Sequence, residues 1–561
     1  MIRPSLRSAL TLLVLCALSR NPAAGQSTLQ TAQSALQQGD FQKAAAALKG
    51  VTSAEPDNGL AWALLGYALR NLKDFDAAVA AYDKAIPLRP GAGGTFFQGG
   101  MAQAQAGHLD RAFQWLDSAR VLGVDVTGVD LDPAGDLLRG DPRYASLFPD
   151  EAEFADPFVE PVKIIREWRG EHRGDQFGWI ARNIGDVDGD GVNDVVTSAP
   201  SWGPDGSAAG RVYAYSSGSG KLLWTAEGNP GDQLGQGVEA AGDVNADGIP
   251  DVVAGAPYAA RAYVYSGIDG TVLLTLKAPD DGPLGPKVAD LGDVDGDGHD
   301  DVLVGAPRDD TSGEDAGRAY IYSGRDGAVL LTLSGEKAGD NFGSAAGGVT
   351  HDGELLLVVG APNAGPDGRG RAYVYKGLTT RPSFVIESDP EGSQLGGMFV
   401  SVVGDVDGDG TPDVYASDWP GNGRDGLPGA GRVYVHSGAD GHRLYTLTGE
   451  HQGDGFGIGV ADAGDVDRDG HDDLIIGAWQ FAGAAPSGGK VYLYSGRDGS
   501  LRRVITGKVM AETFGFDATG MGDVDGDGVP DLLLTSAWSA VSGAHSGRMF
   551  IVSGTSGAPP R

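Results

Sequence analysis

Gly185-Asp186-Val187-Asp188-Gly189-Asp190-Gly191-Val192-Asn193-Asp194, running into Val195-Val196-Thr197, is one of seven related segments in this chain. Their first acidic positions fall at Asp186, Asp243, Asp293, Asp405, Asp465 and Asp523, with Gly348 at the corresponding place in the fourth, at steps of 57, 50, 55, 57, 60 and 58 residues. A period of that length marks one supersecondary unit used repeatedly. The surroundings repeat too. A Gly-x-x-Phe/Leu-Gly lead-in precedes the acidic run, as at Gly174 to Gly178, Gly339 to Gly343 and Gly453 to Gly457. A Gly-Ala-Pro exit follows at Gly255-Ala256-Pro257, Gly305-Ala306-Pro307 and Gly360-Ala361-Pro362. Next come an alternating strand such as Arg318-Ala319-Tyr320-Ile321-Tyr322, a turn at Gly324-Arg325-Asp326-Gly327, and a further strand, Val329-Leu330-Leu331-Thr332-Leu333. Four short strands per copy, seven copies and glycine at the corners predict an all-β seven-bladed β-propeller over residues 161–554.

The composition agrees. With 92 Gly and 30 Pro in 561 residues, a predominantly helical protein is excluded, while 41 % hydrophobic residues suffice for a large core. Acids outnumber bases 76 to 42, giving a formal charge of -34. Such a surface repels phosphate backbones, so nucleic acid is excluded as a partner.

Asp at positions 1, 3, 5 and 9 of the repeated loop surrounds one point with carboxylates, Gly at 6 allows a sharp turn, and the carbonyl at 7 supplies another oxygen. Hard oxygen donors in that number suit Ca²⁺. The expected ligand sets are Asp186, Asp188, Asp190, Val192 and Asp194; Asp243, Asn245, Asp247, Ile249 and Asp251; Asp293, Asp295, Asp297, His299 and Asp301; Asp405, Asp407, Asp409, Thr411 and Asp413; Asp465, Asp467, Asp469, His471 and Asp473; and Asp523, Asp525, Asp527, Val529 and Asp531. Position 7 contributes through its backbone, histidine included. The fourth copy (Gly348, Thr350, Asp352, Leu356) keeps one acid and is expected to hold no ion. About six structural Ca²⁺ are therefore expected.

Together the Phe-Gly lead-in, the Asp-rich loop and the Gly-Ala-Pro exit resemble FG-GAP repeats, those of the integrin α propeller. The last copy ends on Met549-Phe550-Ile551-Val552 without an outer strand. Residues 162–168, which align with the outer strand of a complete copy, are expected to close the seventh blade; residues 555–561 form a tail. In propellers of this family the calcium hairpins lie on one face and ligands bind on the other. Trp202, Trp419, Trp479 and Trp538 fall in the loops of that second face, either as a ligand-binding arc that stacks sugars or grips a protein, or as wedges between blades. Arg-Gly-Asp at residues 139–141 and 173–175 is read as incidental, the second belonging to a lead-in.

Residues 26–126 repeat differently. Trp62, Leu65, Gly66, Ala78, Tyr82, Ala85 and Pro90 have related residues 34 positions before and after, at Ala32, Ala44, Leu48, Val51 and Pro56 and at Phe96, Gly100, Ala112, Leu116 and Ala119. This spacing resembles the tetratricopeptide repeat and implies a small all-α array of three helical hairpins. The resemblance implies peptide binding on its concave face; the residues allow equally a spacer or docking stub. Residues 127–160 read as a capping helix and linker. Residues 1–25, with Arg3 and Arg7 before an apolar run at 9–18 and small residues at 23–25, read as a signal peptide. The chain should therefore be exported, to the extracellular space, cell surface or periplasm, with no transmembrane segment.

Cys16, the one cysteine, falls in that leader, and neither a Gly-x-Ser-x-Gly elbow nor a phosphate-binding Gly-x-x-x-x-Gly-Lys-Ser/Thr occurs. No catalytic residue is assigned. The predicted function is a calcium-stabilised binding or adhesion scaffold, its propeller recognising a protein or glycan and its helical array contacting protein. Two alternatives stay open: a non-catalytic subunit that presents a partner enzyme, and a hydrolase or quinoprotein-like enzyme, the latter from Ser219-Gly220-Lys221-Leu222-Leu223-Trp224.

Overall fold

The computed structural model describes residues 24–204 and 206–559. The expected leader lies outside them but for its last two positions. The chain forms two compact units, a helical one through Glu151 and a β unit from Ala152. Among the described residues no helix is long and apolar enough to cross a membrane.

Six helices make three hairpins in the first unit: α1 Ala24–Gln37 with α2 Phe41–Ala54, α3 Gly59–Asn71 with α4 Phe75–Leu88, and α5 Gly93–Gln105 with α6 Leu109–Val121. The 34-residue period is visible in the backbone itself. Gly39, Lys73 and Gly107, one per hairpin turn, all have positive φ, 74°, 63° and 84°. Asp40 and Asp74 then cap the next helix by accepting from Lys43 N and Ala77 N. Inside the middle hairpin a Cβ on Gly66 would stand 2.8 Å from the Tyr82 ring, so only glycine lets these helices close over that tyrosine. Short helices follow at Pro133–Leu138 and Glu151–Ala155. The Arg70 guanidinium bridges this cap to the array by donating to both oxygens of the buried Asp132 and to Gln98 and Gln105.

The second unit is a seven-bladed propeller of four-stranded antiparallel sheets. The innermost strands, Ala181–Asn183, Val238–Gly242, Val288–Gly292, Ala345–His351, Val400–Val403, Phe456–Gly464 and Ala518–Gly522, contact one another in a closed ring. The second strands, such as Asp301–Ala306 and Asp473–Ala478, are buried along their whole length because a neighbouring blade covers each face. Blade seven takes its outer strand from far upstream: Ile164–Arg169 pairs with Arg548–Val552, Trp168 opposite Met549. That pairing removes two sheet edges at once.

The repeated glycines are where adjacent blades meet. Gly285 N in the lead-in of blade three donates to Gly305 O in that blade's exit. On its other side, a Cβ on Gly255 of blade two would fall 1.7 Å from Gly285 O, so the exit glycine runs directly over the next blade's lead-in. Gly477 and Gly515 O repeat the approach between blades six and seven, at 1.8 Å. Lead-in and exit are thus two halves of one contact.

Candidate metal centre

Each acidic loop joins the first and second strand of its blade. In blade one, Asp186 Oδ1 accepts from Gly189 N and Asp190 N, at 2.7 and 3.1 Å, and its Oδ2 from Gly191 N at 2.8 Å. Asp188 Oδ1 accepts from Asp190 N, and Asp190 Oδ1 from Val192 N. The carboxylates wrap the loop backbone around themselves, and Gly189 and Gly191, both with positive φ, permit the winding. Blades three, five and seven repeat this network from Asp293, Asp405 and Asp523.

The ninth-position aspartates differ from the rest in being fully buried. Asp194 Oδ2 accepts from Val187 N and Asp188 N, and Oδ1 from Ser217 N, 23 residues on, at the turn after the third strand. Asp251, Asp301, Asp413, Asp473 and Asp531 reach Gly267, Gly324, Gly438, Gly496 and Gly554 in the same way. This residue is therefore a strut between the acidic loop and the neighbouring hairpin. Burial pushes the carboxyls of Asp194, Asp251, Asp301, Asp413 and Asp531 up to about 6 and that of Asp473 up to about 7, against the N–H groups that favour the anion.

Five loops bring three carboxylate oxygens within 4.8 Å of one another: Asp186, Asp188 and Asp194; Asp293, Asp295 and Asp297; Asp405, Asp407 and Asp413; Asp465, Asp467 and Asp473; Asp523, Asp525 and Asp531. All the donors are hard oxygens, the chemistry a divalent cation such as Ca²⁺ requires, so these residues fit the ion. Loop two forms no such acidic triad among the described residues. There Asn245 Nδ2 donates to Asp247 Oδ2, one carboxylate oxygen being occupied by an amide. The position-7 residues Val192, Ile249, His299, Thr411, His471 and Val529 each donate their N–H to the carboxylate at position 5. The His299 ring turns away to Val244 O of blade two, 2.7 Å from Nδ1, and the His471 ring lies beside Gly408 of blade five.

The fourth repeat has a different turn. Gly348 and Thr350 lie within the strand Ala345–His351 and Leu356 within Glu354–Ala361. Between them Asp352 and Gly353, φ 50° and 77°, make a two-residue hairpin loop.

The opposite face carries the tryptophans. Trp419, Trp479 and Trp538 of blades five, six and seven form an edge-to-face row, centroids 6.3 and 4.8 Å apart. Trp479 is 3 % exposed and packs between its neighbours; Trp419 and Trp538 are half-buried. Trp202 stands apart, under the Arg211 guanidinium at 3.8 Å. The row continues through residues that the tryptophan pattern alone does not show: Trp479 meets Phe516, and Phe516 meets Trp179. Trp179 and Phe516 both directly follow a lead-in Phe-Gly pair, which is the signal that would find them.

Sequence comparison points the same way. Residues 29–93 match the tetratricopeptide repeat, 177–215 and 288–322 the FG-GAP repeat, and 243–304 and 465–534 the FG-GAP-like repeat. FG-GAP and FG-GAP-like repeats are thus matched in blades one, two, three, six and seven. The chain is similar to integrin alpha pat-2 of Caenorhabditis elegans, 30 % identical over a 229-residue alignment that covers 36 % of this chain and 18 % of that protein. Integrin alpha-8 of Mus musculus is 30 % identical over 244 residues, 38 % of this chain and 22 % of its own length. Integrin alpha-V of Gallus gallus is 28 % identical over 236, again 38 % and 22 %. The chain thus spans about a fifth of the length of each of these relatives.

Proposed function

We propose that this protein is an exported, calcium-stabilised scaffold for binding or adhesion, its FG-GAP propeller presenting a recognition face to a protein or glycan and its tetratricopeptide array contacting protein. The observation that carries this reading is the set of five carboxylate triads on one side of a closed propeller, with the aromatic row on the other. Calcium bound at the triads offsets carboxylate repulsion and fixes the hairpins. Affinities of about 10⁻⁴ to 10⁻³ M, usual for extracellular modules, suit that role. Likeness to integrin α chains supports binding over catalysis, and Trp419 and Trp538 are the aromatic surfaces a ligand could reach.

The test is thermal unfolding in EDTA and across a calcium series, with bound metal counted by elemental analysis. Five ions per chain, or six if loop two also binds, together with a calcium-dependent rise in Tm, support the reading. Absence of both bound metal and shift overturns it. Recognition is then tested at millimolar calcium on glycan and protein arrays, where a ligand lost in W419A and W538A but kept by the wild type locates the face.

A further inference from the structure

Where the inner strands converge, the propeller axis holds a cavity of about 240 Å³. Three charged side chains at one side of it leave bonding capacity unused. Arg182 Nε donates to Glu239 Oε2 at 2.8 Å, and Nη1 to Asp517 Oδ2 at 2.5 Å and to Ala181 O. Its Nη2 has no acceptor among the described residues. Lys287 lines the same cavity, and among the described residues its ammonium makes neither a hydrogen bond nor an ion pair. Among the described residues Glu239 Oε1 accepts from no donor, and Asp290 and Asp462 add two further carboxyls to the lining. Lys287 is half-buried, and its ammonium, lying beside a guanidinium and without a hydrogen-bond partner of its own, leaves donors for an anion to share. Burial and the Arg182 charge both hold the Lys287 pKa below the usual lysine range, in keeping with that deficit.

We propose that this axial cavity binds a small carboxylate with an adjacent amine or hydroxyl, an α-amino or α-hydroxy acid. The Lys287 ammonium and Arg182 Nη2 hold its carboxylate; Glu239 and Asp290 receive its donor. A ligand of that kind uses both the free donors and the free acceptors, whereas a bare inorganic anion would set its charge against the carboxyls. The volume admits it, being several times the roughly 30 Å³ of one water. The site lies on the axis and owes nothing to the acidic loops.

The experiment is calorimetric titration and thermal shift of the full chain in saturating calcium, with glycine, L-serine, acetate and inorganic phosphate as probes. Glycine or serine should bind one per chain, more tightly than acetate, and K287M should weaken that binding at least tenfold while K287R retains it. Because K287M removes a half-buried charge that has no hydrogen-bond partner, its ligand-free Tm should equal or exceed that of the wild type. A lower ligand-free Tm, binding that K287M leaves intact, or no binding of either amino acid overturns the proposal. Binding of phosphate alone overturns the carboxylate assignment.

Discussion

Arg548 Nε donates to Glu512 Oε1 at 2.6 Å and Nη2 to Oε2 at 3.0 Å, and both side chains are fully buried in blade seven. The same guanidinium reaches Glu167 on the closing strand and Phe154 O. One cation thus ties the last blade to the chain segment that completes it. Removing its partner leaves a charge in the core, so E512A should lose about 3–5 kcal/mol in chemical denaturation. R548A should cost a similar amount, and the double variant less than the sum of the two, since the charges fall together. Additive losses would show that the pair is not coupled.

Closure makes a second prediction. A chain beginning at residue 171 lacks Ile164–Arg169 and leaves Arg548–Val552 as an open edge, carrying the unpaired N–H and C=O groups that recruit other strands. It should melt below a chain beginning at residue 152 and self-associate in sedimentation. An unchanged Tm with a monomeric profile would show that the closing strand contributes nothing.

The strut role of the ninth aspartate separates metal binding from folding. In D194N, an amide NH₂ must face at least one of the buried N–H groups of Val187, Asp188 and Ser217, a loss of about 1–3 kcal/mol even in EDTA. Asp190 is exposed, and D190N should stay within about 0.5 kcal/mol of wild type in EDTA while weakening the calcium-dependent rise in Tm. Equal behaviour of the two variants in EDTA would remove the strut.

The propeller was legible because its signals are local and repeated: each copy carries lead-in, loop and exit within about 57 residues, the step from Asp186 to Asp243. The tetratricopeptide array was legible for the same reason. The acidic positions of the loops could be named from spacing, but the strut could not, since Asp194 finds Ser217 only when the third strand folds back. The fourth repeat shows the limit of alignment by period. Matching it to a ten-residue loop obscured Asp352-Gly353, a two-residue hairpin signal in its own right. Lys287 and Asp290 stand in no motif, and their importance arises only when seven inner strands surround one axis.

Asp290 gives the pH dependence. Burial, reinforced by the charges of Asp300 and Glu239, pushes its carboxyl up to about 7, whereas in the unfolded chain it titrates near 3.9. Between those values the native state holds a proton that the unfolded state has released, so the contribution to stability is complete below about pH 4 and lost as pH rises through about 7. D290N keeps an oxygen for Gly292 N and carries no charge. It should therefore match wild type near pH 4 and gain on it steadily from there to about pH 7, levelling off near pH 8 at about 2–4 kcal/mol. Denaturation of both proteins from pH 4 to 8.5 measures this directly. Parallel curves would mean that Asp290 is ionised in the folded protein throughout, with water or a bound cation supplying what burial removes.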